Sequence, residues 1–122
     1  MATIAIVDDD ENISLMLKDF LERKGFKVWL ALDPSQFSVL LKDNKPDLVI
    51  MDIQMPGGNG ITAVKNLRKS PDTKDIPVII LSAMPLTLQR QWLADTTSGV
   101  RHLEKPADLM RLLKDVNEML KA

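Results

Sequence analysis

Four aspartates stand where apolar runs end. Asp8, Asp9 and Asp10 follow "TIAIV"; Asp52 follows "LVIM" and leads, within "MDIQMPGGNG", into a proline and three glycines. Ser82 closes another such run, "VIIL", and Lys105 follows "VRHLE". A carboxylate is costly to bury unless it is paired, so an apolar strand that delivers Asp52 into a turn requires a partner for it. The other aspartates cannot be that partner. Two unit charges about 4 Å apart repel by roughly 4 kcal/mol at an effective dielectric near 20, so either one pKa rises or a cation enters. Hard oxygen ligands with room for water suit Mg²⁺, which commonly binds through one or two carboxylates plus phosphate oxygens. Lys105 adds a positive charge, and the Ser82 hydroxyl can donate a hydrogen bond. Such parts suit phosphoryl transfer onto a carboxylate, with Asp52 as the nucleophile.

That chemistry requires the four segments to meet. Short apolar runs alternate with amphipathic segments five times along the chain. The strand candidates are Thr3–Val7, Lys27–Ala31, Leu48–Met51, Val78–Leu81 and Val100–Glu104. The first, third and fourth are almost wholly apolar, as expected of strands buried on both faces of a parallel sheet. Helical spacing links Ile13, Met16, Leu17, Phe20 and Leu21, with Gly25 as the stop. Asp33-Pro34 reads as an N-cap and first helical residue before Phe37, Leu40 and Leu41. Ile61, Val64 and Leu67 mark a third helix, Thr87–Ala94 a weaker fourth, and Leu109, Leu112, Leu113, Val116 and Leu120 a last one beginning near Pro106.

Strict alternation of strand and helix predicts a single (βα)5 doubly wound α/β domain of the flavodoxin-like kind. With strand order 2-1-3-4-5, ligands bind beyond the carboxyl ends of the central strands. Asp52 then lies between the acidic cluster and Ser82, with Lys105 one strand further out.

Bulk properties agree with one soluble unit spanning 1–122. The chain is 45% hydrophobic and 27% charged, and its formal charge of −1 gives no electrostatic reason for direct nucleic-acid binding. The absence of cysteine excludes disulfides and thiolate metal sites. "MATIAIVDDD" is too short and too acidic for a signal peptide, and no apolar run approaches membrane-spanning length. The expected location is the cytoplasm.

On these residues the sequence resembles the response-regulator receiver family of two-component signalling. "IVDDDE" is similar to the family's first-strand acidic motif and "MDIQMPGGNG" to its phosphoacceptor loop. "VIILSA" resembles the strand bearing the switch hydroxyl, and "EKPAD" the lysine-proline turn. The resemblance runs from Ile4 to the last helix. It implies Asp52 as the phosphorylated residue and Asp9 as a direct Mg²⁺ ligand. It further implies that Asp8 assists through water and that the Gln54 main-chain carbonyl completes the protein ligands. Ser82 and Lys105 would contact the phosphoryl group. The implied partner is a histidine kinase or a histidine phosphotransfer protein, and the implied output is a shift of the face built from the fourth helix, fifth strand and fifth helix. A downstream target is unknown, and a monomer or a phosphorylation-dependent homodimer is expected. The family's switching aromatic position falls on His102, and "TTSGVR" lacks the usual Gly-Ala before it.

Plainer readings compete at each position. One of the three aspartates, Asp10, is expected to cap the first helix. Ser82 before "AMP" can be ordinary turn chemistry, and Lys105-Pro106 could simply start the last helix. His102 has no second histidine with which to share a metal. Trp29 reads as strand packing, and Met110 and Met119 as helix filling. A haloacid-dehalogenase-type phosphatase wants a general acid two residues beyond the nucleophile, where this chain has Gln54. A flavin carrier would not put Asp8–Asp10 beside a cofactor phosphate. A degenerate receiver, working without phosphorylation, would lack some of the charged parts present here.

Overall fold

The computed structural model describes residues 1–55, 58–92 and 98–121, as backbone only at 54, 55, 58, 59 and 92. Pro56 and Gly57 of the acceptor-loop motif, the end of the expected fourth helix at Ala94, and the Trp92 side chain lie outside that description.

Five parallel strands form one sheet: β1 (Thr3–Val7), β2 (Lys27–Ala31), β3 (Leu48–Met51), β6 (Val78–Ser82) and β7 (Val100–Glu104). Their spatial order is β2-β1-β3-β6-β7, which is 2-1-3-4-5 when only these strands are counted. A two-stranded antiparallel ribbon, β4 (Gln54–Met55) with β5 (Gly58–Asn59), sits within the loop after β3. It interrupts no other element, and only the glycines hint at it in the sequence. Every residue of β3 and β6 is buried, whereas the edge strands β2 and β7 are only partly covered. A central strand has a helical layer over each face and must be apolar throughout, while an edge strand is roofed on one side and keeps polar residues.

The period-2 alternation of the strands divides the core in two. Ala5, Val7, Val49, Met51, Val78 and Ile80 face α2 (Pro34–Asp43) and α3 (Gly60–Lys69), packing with Phe37, Val64 and Leu67. Ile4, Ile6, Leu48, Ile50, Ile79 and Leu81 face α1 (Glu11–Arg23) and α5 (Leu109–Lys121), packing with Leu17, Leu21, Leu112 and Val116. A short helix, α4 (Leu86–Trp92), packs beside β7.

Caps account for the helix starts. Asp10 accepts from the Ile13 N–H at 3.1 Å and opens α1, leaving two aspartates for the site. Asp33 accepts from the Gln36 N–H at 2.8 Å and opens α2. Gly25, with φ of 96°, follows the last turn of α1 in a conformation that a side chain would disfavour. Two details differ from expectation. The last helix begins at Leu109 rather than near Pro106, because Asp108 is the capping acceptor, taking the Arg111 N–H at 3.1 Å. Met16 points outward at 47% exposure, because the buried stripe of α1 runs through Ser14, Leu17 and Leu21.

Candidate functional site

The sheet registers bring the acidic residues together. Val7 pairs with Met51 across β1 and β3, and the Asp52 N–H donates to the Val7 carbonyl at 3.0 Å. Asp8 and Asp52 therefore leave neighbouring strands at the same level. Ligand oxygens of Asp8, Asp9 and Asp52 all lie within 4.8 Å of one another. Asp8 is 3% exposed and Asp52 7%, while Asp9 faces solvent. One side of the cluster is thus walled by protein and the other is open to an arriving ligand.

Lys105 closes the buried side. Its Nζ donates to Asp8 Oδ2 at 2.7 Å and to Asp52 Oδ2 at 3.1 Å. These contacts join residues 97 and 53 positions apart in the chain. The Lys105 N–H also donates to the Ser82 carbonyl at 2.9 Å, which fixes the lysine at the end of β6. Its peptide bond to Pro106 is cis. Burial pulls the Lys105 ammonium down, but its hydrogen bonds to Asp8 and Asp52 more than reverse this, so it stays charged. Burial likewise pushes the Asp8 carboxyl above its ordinary range, and the pull of Lys105 and of the Asp10 N–H does not fully offset it. The difference has a simple cause: two carboxylates together hold one ammonium in its charged form, whereas that shared ammonium does not repay Asp8 for its lost hydration, the largest effect on it.

The donor set fits Mg²⁺. Three carboxylates supply hard oxygens at close range, one of them is destabilised as an anion by burial, and a single lysine cannot neutralise all three. Gln54, the fourth expected ligand, lies two residues beyond Asp52 in β4.

Ser82 is fully buried at the end of β6, and its Oγ accepts the Met84 N–H at 3.3 Å. The hydroxyl proton remains available to a second partner. Across the sheet, Ile80 pairs with His102. His102 is half-buried and its Nδ1 lies 3.2 Å from Gln89 Oε1, while burial and the Arg90 charge both lower its pKa. The segments named from sequence thus converge: Asp8, Asp9, Asp52 and Lys105 directly, and Ser82 through its backbone contact with Lys105.

Three residues around the site had no individual role read from the sequence. Ser14, buried in α1, donates to the Asp8 carbonyl at 3.4 Å. Gly60 packs against the Asp52 main chain. Gln89 is fully buried in a segment whose periodicity was too weak to assign a face.

Comparison with known proteins gives the same picture. The response regulator receiver domain family matches residues 4–117. Protein PilH of Pseudomonas aeruginosa is 39% identical over 121 residues, covering 98% of each chain. The phosphate regulon transcriptional regulatory protein PhoB of Rhizobium meliloti is 34% identical over 97% of this chain, which spans 52% of that longer protein. Among solved structures, the response regulator TrrA from Thermotoga maritima, in complex with Mg²⁺-BeF, has a TM-score of 0.84 and 27% identity over 98% of this chain and 99% of its own. By its motifs, its fold and its relatives, the chain belongs to the response regulator receiver domain family of two-component signalling.

Proposed function

We propose that Asp52 accepts a phosphoryl group from a phosphohistidine, presented by a histidine kinase or a histidine phosphotransfer protein. The observation that carries this reading is the position of Asp52: nearly buried, within reach of two further carboxylates, and bonded to Lys105. In the transfer, a carboxylate oxygen of Asp52 forms a bond to phosphorus as the donor's P–N bond breaks. The electron pair of that bond stays on the imidazole nitrogen, which takes a proton from solvent. Lys105 neutralises charge on the incoming oxygens, and the Ser82 hydroxyl donates to one of them.

Asp8, Asp9 and Asp52, with the Gln54 main-chain carbonyl, would hold Mg²⁺. The ion, when bound, offsets the negative charge that would otherwise repel a phosphoryl group. Lys105 holds the Asp52 carboxylate at the floor of the site, and Asp9 meets the solvent side.

Receiver domains are switching modules, and the chain acts as one such unit over 1–122, as phosphoacceptor and not as a turnover enzyme on an external substrate. Among the described residues no helix is long and apolar enough to cross a membrane; a cytoplasmic setting is the one in which a kinase phosphohistidine would meet this site. The test is an intact-mass measurement after incubation with a small acyl phosphate and Mg²⁺. One added phosphoryl group is expected in the wild type and none in Asp52→Asn. Equal incorporation in that variant would place the acceptor elsewhere.

A further inference from the structure

The β6–α4 corner contains a continuous line of polar contacts that leads out of the site. Ser82 Oγ accepts the Met84 N–H at 3.3 Å. The carbonyl of the same Met84 accepts from Gln89 Nε2 at 2.6 Å, and that nitrogen also donates to the Leu103 carbonyl at 3.3 Å. Gln89 Oε1 then faces His102 Nδ1 at 3.2 Å. Ser82 and Gln89 are fully buried and Met84 nearly so, so water does not compete for the inner links.

We propose that Gln89 is a positioning residue that couples the Ser82 hydroxyl to the orientation of His102. The coupling rests on the phosphoacceptor reading of Asp52 given above. Two carbonyls hold the amide nitrogen in place, so the amide oxygen must face the imidazole. An oxygen there can only accept, hence His102 Nδ1 carries the proton and Nε2 is bare in the resting chain. Burial and Arg90 disfavour the imidazolium, consistent with a neutral ring.

When a phosphoryl group on Asp52 draws the Ser82 hydroxyl, the Met84 N–H loses its geometry and the Met84 peptide turns. Gln89 loses its shortest bond and releases His102. The polar side chain matters here because it carries information a methionine of similar length would not. Met at 89 would fill the space and contact the same neighbours, with no link between Met84 and His102.

The chain has a single histidine, so its ring nitrogens can be read without assignment. The experiment uses full-length chain labelled with ¹⁵N-histidine, with and without a small acyl phosphate and Mg²⁺, each sample checked by intact mass. Expected in the resting wild type is the Nδ1–H tautomer, with a change in both ring signals once the mass shows one phosphoryl group. In Gln89→Met the mass gain persists and the phosphorylation-linked ring shift is lost. An Nε2–H tautomer at rest overturns the proposal, as does a Gln89→Met chain whose ring still shifts on loading as the wild type does. A loaded wild type with an unmoved ring refutes the coupling alone. No mass gain in the wild type refutes the acceptor reading and the coupling with it. If Gln89→Met fails to fold, the resting wild-type tautomer decides.

Discussion

Gly60 is packed so tightly against Asp52 that a β-carbon at position 60 would overlap the Asp52 main-chain oxygen. The Asp52 carbonyl carbon and the Ile53 Cα would each stand 2.9 Å from it. The Gly60 N–H donates to the Ile53 carbonyl at 2.9 Å, so the loop that begins at Asp52 is closed on itself at the first residue of α3. The glycine is there because two stretches of backbone meet, and backbone atoms cannot rotate out of the way.

Replacing Gly60 with alanine sets two effects against each other. Helix propensity favours alanine by at most about 1 kcal/mol, while the clash with main-chain atoms costs about 1–3 kcal/mol. The clash should win. Gly60→Ala is expected to lower the urea midpoint and to slow phosphoryl incorporation, since the loop must lift away from Asp52. A variant as stable and as readily loaded as the wild type would show that the close approach is not needed.

Lys105→Met leaves Asp8 and Asp52 without their shared ammonium. Buried anions that lose an ammonium are costly, but Asp8 can relieve part of the cost by taking a proton, so a loss of about 1–3 kcal/mol is expected near neutral pH. Loading by an acyl phosphate should fall by on the order of 10²-fold, the usual consequence of removing one charge-stabilising donor. Stopped incorporation assays with mass detection would measure the latter, and undiminished loading would remove Lys105 from the chemistry.

Asp8 gives a pH signature whose sign can be worked out. Its carboxyl sits above the ordinary value of 3.8 because of burial, so the folded chain binds that proton more tightly than the unfolded chain does. Its favourable contribution is complete below the unfolded pKa and is lost as pH rises through the folded one. Around neutral pH the ionised group therefore opposes folding. With chelator present, Asp8→Asn is expected to melt higher than the wild type at neutral pH, and the gap should narrow as pH falls toward about 4. Adding Mg²⁺ should raise the wild-type melting temperature more than that of Asp8→Asn. A lower-melting Asp8→Asn under chelation would contradict this account.

Asp9 and Asp10, adjacent in sequence, should separate cleanly. Asp10→Ala removes the α1 cap and should cost about 1 kcal/mol, with Mg²⁺ affinity little changed. Asp9→Asn, exposed and outside the cap, should leave the denaturation midpoint where it was and weaken Mg²⁺ binding in calorimetric titration. The opposite pairing of effects would mean the two roles had been exchanged.

The pattern of the chain was enough to place its chemistry at one end of the sheet. All-apolar runs such as "LVIM" and "VIIL" have to be central parallel strands, and alternation with helices puts Asp8, Asp52, Ser82 and Lys105 at their carboxyl ends. Local sequence carries that information because burial on one face or two is written into each short run. The Asp10 cap was legible in the sequence, but how Asp8 and Asp9 divide the remaining work was decided by the fold. Asp8 is buried against Lys105, Asp9 meets solvent and Asp10 caps α1, although the three are chemically alike and contiguous. Gln89 became a buried link to His102, and Gly60 a point of backbone contact, for the same reason. Such roles depend on which distant segment arrives opposite a residue, and on the direction of its side chain when it does. Registry between strands sets both, and no window of neighbouring residues contains it.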